Sequence, residues 1–88
     1  MYPMRPNPNQ ELLYRYLKAR QDILEAVDSL DKLQRSSTTQ EYWEKYLKSN
    51  ADIIKAQASV NQLTPQQRRV LSLEFSLDAI FLSLLGLG

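Results

Sequence analysis

The sequence contains no cysteine and no histidine, and its only two glycines lie at the C-terminal end. Without cysteine there is no disulfide framework and no thiolate site, and nothing points to an oxidising compartment. Without histidine, the commonest general base and metal ligand are missing. Because a glycine-rich phosphate loop is missing as well, we expect no enzymatic activity, no metal or cofactor site and no small-molecule substrate. The expected location is cytoplasmic.

Charge clusters and long apolar runs are also missing. The eleven basic and ten acidic residues are spread evenly along the chain and leave a net charge of +1. The apolar C-terminal stretch is interrupted by Glu74 and Asp78, and the uninterrupted part, residues 79–87, is too short to span a bilayer. We therefore expect one domain without a membrane span and without a basic patch.

What the sequence does contain is a helical pattern. Pro3, Pro6 and Pro8 predict an extended arm over residues 1–7. After the arm, apolar and small residues recur at alternating intervals of four and three, which predicts two long, coiled-coil-like helices at about 8–34 and 39–61. The pattern residues are Leu12, Tyr16, Ala19, Ile23, Ala26, Leu30 and Leu33 in the first helix and Tyr42, Tyr46, Ser49, Ile53, Ala56, Val60 and Leu63 in the second.

A short connection separates these two helices and predicts an antiparallel hairpin. Thr38 and Glu41 have the spacing of a capping box that starts the second helix. Folding the chain about residues 36 and 37 places large residues opposite small ones, such as Ile23 opposite Ser49. We expect three aromatic residues of the second helix to lie in the core: Tyr42, Trp43 and Tyr46.

A third helix is predicted over residues 65–85. Thr64 and Gln67 have the spacing of a capping box, and Pro65 occupies the first helical position, where no backbone donor is needed. Residues 71–78 also alternate with a period of two, which leaves a strand as an alternative there. The predicted fold is an all-α, three-helix antiparallel bundle that forms a single domain over residues 8–88. The stripe expected to face the hairpin is Val70, Leu73, Leu77, Ile80, Leu84 and Leu87.

The third helix is apolar on a second side as well, formed by Leu71, Phe75, Leu82 and Leu85. A chain of this size cannot easily cover both sides, and leaving large side chains in water forgoes roughly 1.5–3 kcal/mol each. We therefore predict a homodimer or higher oligomer through these residues, and a non-enzymatic role as a protein–protein interaction or assembly module of an adaptor, chaperone-like or inhibitory kind. Tyr14, on the charged side of the first helix, is a candidate contact for another protein.

The segment from Leu63 to Leu71 resembles the opening of the DNA-binding helix-turn-helix in sigma-factor region 4 and in LuxR-type regulators. The resemblance implies a small DNA-binding or transcription-associated regulator in which Arg68 and Arg69 contact phosphates. Downstream, the chain lacks the polar turn and the basic recognition helix of that motif, and its charge is balanced. DNA binding is therefore the alternative function.

Overall fold

The computed structural model describes residues 8–75 and 79–87, with only the backbone of Phe81. All regular structure in this described part is helical: α1 spans Pro8–Gln34, α2 Thr39–Asn61, α3 Pro65–Glu74 and α4 Ala79–Leu84. The all-α prediction is confirmed, and α1 and α2 have the expected bounds. The predicted arm over 1–7 lies outside the described residues, as do residues 76–78 of the stretch that left a strand as an alternative. The molecule is elongated, with extents of 57 × 31 × 15 Å.

Side-chain caps explain where α2 and α3 begin. The Thr38 hydroxyl accepts a hydrogen bond from the Glu41 backbone N–H at 3.1 Å, while the Glu41 carboxylate accepts from Ser37 instead of closing the predicted box. Thr64 and Gln67 form the complete capping box, with two reciprocal hydrogen bonds of 3.2 Å. Each cap satisfies backbone donors that a helix start leaves without a partner.

Helices α1 and α2 pack as an antiparallel hairpin, but the register differs from the predicted one. Asp22 on α1 accepts a hydrogen bond from Ser59 on α2, and Asp52 on α2 accepts one from Ser29 on α1. Folding about residues 36 and 37 would place position 29 opposite position 44, whereas the polar contacts across the hairpin displace α2 by four to eight residues, or about one to two helical turns. The reason is that buried polar groups need partners, whereas apolar side chains of similar volume exchange places at small cost.

The two long helices are two copies of one sequence pattern. With an offset of 30 residues, positions 10–33 and 40–63 share ten identical residues. Lys18 and Lys48 repeat the same contact, each four residues before its aspartate, with N–O distances of 3.1 and 2.9 Å. An approximate two-fold axis perpendicular to the hairpin therefore relates α1 to α2. The identical pairs are Gln10/Gln40, Glu11/Glu41, Tyr16/Tyr46, Leu17/Leu47, Lys18/Lys48, Asp22/Asp52, Ile23/Ile53, Ala26/Ala56, Ser29/Ser59 and Leu33/Leu63.

The predicted third helix is divided in two. Phe75 leaves the helical conformation, with φ −97° and ψ 118°, at the point where the sequence alternates with a period of two. Helix α3 has ten residues and α4 has six, so they are about 15 and 9 Å long, whereas the 27 residues of α1 span about 40 Å. Two such short helices cannot cover the whole hairpin, and a continuous third helix of a bundle is not formed.

Both short helices lie at the same end of the hairpin. Gln67 on α3 donates a hydrogen bond to the backbone carbonyl of Leu12 on α1 at 3.0 Å. Gln57 on α2 donates to the backbone carbonyl of Leu84 at the end of α4. We call this end, where α1 starts and α2 ends, the proximal end, and the opposite end, with the α1–α2 connection, the distal end.

The side of α3 that faces the hairpin is the opposite of the predicted one. Leu71 is fully buried, whereas Leu73, expected in the core, is 78% exposed. Gln67 and Glu74 both bind α1, and at 100° per residue they lie on the same stripe as Leu71. These two polar contacts and the burial of Leu71 therefore favour the same orientation of α3. The core residues are Ala19, Ile23, Ala26, Ala56, Val60, Leu63, Leu71 and Leu85.

Because of the register, each long helix extends past the end of the other. With this register, Tyr42 near the start of α2 lies level with position 35 or later, past the last residue of α1. By the same count, Leu12 near the start of α1 lies past the last residue of α2. The overhang of α1 is covered by α3, whereas the overhang of α2 extends away from both short helices.

Candidate functional site

In the described part of the chain, the hydrogen bonds from α3 and α4 to the hairpin reach as far as Arg20 and Gln57, and an apolar surface continues beyond them toward the distal end. Its residues continue the helical stripes of Tyr16 on α1 and Val60 on α2, which contact the C-terminal segment at the proximal end. Four of them are half-buried and two are exposed. We call this surface the open face; it consists of Val27, Leu30, Leu33, Tyr42, Tyr46 and Ile53.

Three aromatic side chains cluster at the distal overhang. Tyr42 and Tyr46 are stacked with ring centroids 6.3 Å apart, and Trp43 meets them edge-on at 5.8 and 5.7 Å. Their exposed fractions are 43, 56 and 41% in chain order, so the prediction that they lie in the core is wrong. The reason is the register, since α1 ends at about the level of Trp43 and before that of Tyr42. Tyrosine and tryptophan are enriched among the residues that contribute most of the binding energy at protein interfaces.

The outer surfaces of the helices carry further exposed apolar residues. Monomeric proteins rarely expose contiguous apolar patches of more than a few hundred Å². A shallow groove between α2 and α4 is lined by Gln57, Ala79, Ile80, Ser83 and Leu84. Among the described residues, the large apolar ones that are exposed outside the distal cluster are Leu13, Tyr14, Leu17, Leu24, Leu47, Ile54, Val70, Leu73, Ile80 and Leu84.

A buried carboxylate at the proximal end joins α1 to α2. Asp22 is 3% exposed and accepts hydrogen bonds from Ser59 and from Lys18, while Lys55 lies 3.4 Å away. Burial raises the pKa of Asp22, but the hydrogen bonds from Ser59 and Lys18 and the charges of both lysines outweigh it, so the pKa lies below its ordinary value. The equivalent distal carboxylate, Asp52, has a pKa lowered chiefly by its hydrogen bond from Ser29.

A polar contact fixes α3 on α1. Glu74 accepts hydrogen bonds from the Tyr16 hydroxyl at 2.6 Å and from the Arg20 guanidinium at 2.5 Å. These two donors lower the pKa of Glu74, and the same bond to Glu74 raises the pKa of Tyr16. At the distal end the equivalent positions are Tyr46 and Asn50, so the repeat keeps the hydroxyl and replaces the cation by a neutral amide.

The predicted oligomer residues lie in different environments. Leu71 and Leu85 are fully buried in the chain's own core, and Phe75 and Leu82 are half-buried. Tyr14 is 66% exposed on α1. The assignment of Leu71 and Leu85 to a surface is therefore corrected: α3 and α4 turn them toward the hairpin, and any surface for a second chain must be formed by other residues. Self-association itself stays a prediction.

The two arginines proposed to contact phosphates differ in their surroundings. Arg68 donates to the backbone carbonyls of Val60 and Asn61 at 3.3 Å, where a cation caps the C-terminal end of α2 favourably. Arg69 is exposed. Helix α4, which follows them, contains no charged residue. DNA binding through this pair stays a prediction.

Comparison of the chain with protein-family models, with curated proteins and with solved structures finds no match. Within the described residues, the helices are too short or too polar to cross a membrane.

Sequence reasoning missed the open face, because five of its six residues belong to the four-three pattern that was expected to pack the two long helices together, namely Leu30, Leu33, Tyr42, Tyr46 and Ile53. The signal that identifies it is the 30-residue repeat, in which Tyr46 corresponds to Tyr16 and Asp52 to Asp22. Pairing each repeated aspartate with the serine of the other copy predicts the observed register and hence the overhang of α2.

Proposed function

We propose that this protein is a protein–protein interaction module whose open face binds a protein, and which self-associates through that face when no partner covers it. The observation that carries the proposal is the difference between the two ends of one hairpin. The same amphipathic pattern runs through both ends, but α3 and α4 cover only the proximal end.

The energetic cost of exposure supports the proposal. Each large apolar side chain that moves from water into an interface contributes on the order of 1.5–3 kcal/mol when it is fully buried. Tyr42, Trp43 and Tyr46 each have more than two-fifths of their surface exposed, and their rings already hold one another in place. A partner that covers them gains apolar contact at a small cost in side-chain ordering.

Sedimentation velocity over a range of protein concentrations tests this function. We expect the sedimentation coefficient of the wild-type chain to rise with concentration and that of Tyr42→Glu to stay at the monomer value. Tyr14→Glu is the matched control, because it places the same charge on an exposed tyrosine outside the open face. Leu73→Glu tests the other exposed apolar surface, on the outer side of α3.

Two results would overturn the proposal. A wild-type chain that stays monomeric at the highest concentration would remove the self-association. Association that is lost in Leu73→Glu or Tyr14→Glu but kept in Tyr42→Glu would place the interface elsewhere on the molecule.

A further inference from the structure

The two-fold relation between α1 and α2 places equivalent positions of the two helices at opposite ends of the hairpin. At the proximal end, α3 lies along the overhang of α1, over Leu12, Tyr16 and Arg20. The repeat places Tyr42, Tyr46 and Asn50 at the equivalent positions in the first half of α2. The first site is filled by the chain's own C-terminal segment, and the second is exposed.

We propose that the distal overhang is a second site for a short amphipathic helix with the chemistry of α3, and that a partner protein supplies this helix. The proposal rests on the function proposed above and names the occupant of the open face. A second copy of the chain is not the expected source of this helix. Each copy has two sites but only one α3, and α3 would have to leave its own proximal site in order to fill the distal site of another copy.

The contacts of α3 define what the incoming helix must present. Leu71 is buried in the core, and Phe75, four residues later, packs against the core. Between them, the Glu74 carboxylate accepts a hydrogen bond from the Tyr16 hydroxyl. At the distal site the hydroxyl is that of Tyr46, and Asn50 replaces Arg20. The partner helix therefore needs two large apolar residues one turn apart and a hydrogen-bond acceptor between them, and that acceptor need not be charged.

A peptide of residues 64–75, which contains α3 and its capping box, is the probe. It is titrated into the full chain, and the fluorescence of Trp43 is recorded, because Trp43 is the only tryptophan and belongs to the distal cluster. The chain's own α3 is tethered beside the proximal site at a high effective concentration, so the peptide competes poorly there.

We expect a saturable blue shift of the emission, weakened about tenfold or more by Tyr46→Glu in the chain or by Leu71→Glu in the peptide. Tyr14→Glu in the chain is the matched control and should bind as the wild type does. Far-UV circular dichroism of Tyr46→Glu checks that the hairpin remains folded, which is expected because this side chain is 41% exposed.

An emission that does not change, or that changes equally with the Leu71→Glu peptide, would overturn the helix site. Failure of the helix site is measured by fluorescence, whereas failure of the proposed self-association is measured by sedimentation, so the two results can be told apart. A chain that self-associates and ignores the peptide has an interacting open face without a helix site. A monomeric chain that binds the peptide keeps the helix site and loses only the self-association.

Discussion

The proximal and distal ends of the hairpin are built from the same repeated residues but end in different environments. Ile23 near the proximal end is fully buried, whereas its equivalent Ile53 near the distal end is half-buried. Tyr16 is half-buried under α3 and bonded to Glu74, whereas Tyr46 is 41% exposed. The local pattern is shared, so the difference comes from what covers each end.

An amphipathic stripe predicts that a surface will be covered, but it does not predict which element or which chain covers it. The stripe of α2 is continuous from Tyr42 to Val60, yet only its C-terminal part reaches α4 and the loop with Gly86. The length of the two short helices decides where the cover stops. The remainder of the stripe is available to another chain.

The largest expected difference between the two ends is in core packing. We expect Ile23→Ala to lower the free energy of unfolding by about 3–4 kcal/mol, because it leaves a cavity in a fully buried site, and Ile53→Ala by about 1–2 kcal/mol. Urea denaturation followed by circular dichroism at low protein concentration measures both values. Equal costs for the two variants would contradict the view that the distal end is uncovered in the single chain.

Acid stability gives the second comparison, since Asp22 and Asp52 are equivalent carboxylates whose pKa values are both lowered by folding. A lowered pKa contributes stability that is complete above the unfolded value of about 3.9 and is lost as the pH falls through the lower folded value. The side chain of Asp22 is 4% exposed and that of Asp52 15%. At neutral pH we expect Asp22→Asn to cost about 2 kcal/mol and Asp52→Asn about 1 kcal/mol.

The measurement for this second prediction is a series of urea denaturations from neutral pH down to about pH 2. The wild type should lose stability below the unfolded aspartate pKa, and each Asn variant should show a shallower loss. A pH profile of Asp22→Asn that matches the wild type would show that this carboxylate does not carry the acid dependence.

Much of the fold follows from the sequence, and the failures have specific physical causes. Prolines, caps and the four-three spacing locate α1 and α2, because these signals depend on neighbours in the chain. The prediction of the helix register was wrong because matching side-chain volumes ignores the Asp22–Ser59 hydrogen bond. A buried polar pair tolerates displacement far less than apolar layers do. The prediction of the buried side of α3 was wrong because the two stripes are similarly apolar, and the contacts of Gln67 and Glu74 with α1 lie on the stripe of Leu71.

For the C-terminal segment, Leu71 and Leu85 are buried where an exposed side was expected. Leu73 and Ile80 are exposed where a buried side was expected, while Leu87 packs against the core as predicted. The open face was missed because it depends on long-range facts, namely the register and the break at Phe75. The four-three periodicity predicts neither of them, although the period-two alternation of residues 71–78 coincides with the break at Phe75. The 30-residue repeat is the one signal in the sequence that links distant positions.

The smallest expected difference concerns the hydroxyl groups of the two equivalent tyrosines. Tyr16→Phe removes the hydrogen bond to Glu74, whose side chain is 34% exposed, and should cost about 0.5–1 kcal/mol. Tyr46→Phe should change the free energy of unfolding by less than about 0.5 kcal/mol, because α3 does not reach this tyrosine. Chemical denaturation of both variants at one low protein concentration gives the comparison.

Repeating the tyrosine comparison at high concentration sharpens it. Where a second chain covers the open face, the Tyr46 hydroxyl acquires a partner or loses water, and the cost of Tyr46→Phe becomes concentration-dependent. The cost of Tyr16→Phe should stay constant, since Glu74 belongs to the same chain. A Tyr46→Phe cost that already equals that of Tyr16→Phe at low concentration would mean that the distal tyrosine is bonded within the single chain, and the two ends would then be equivalent in contacts as well as in sequence.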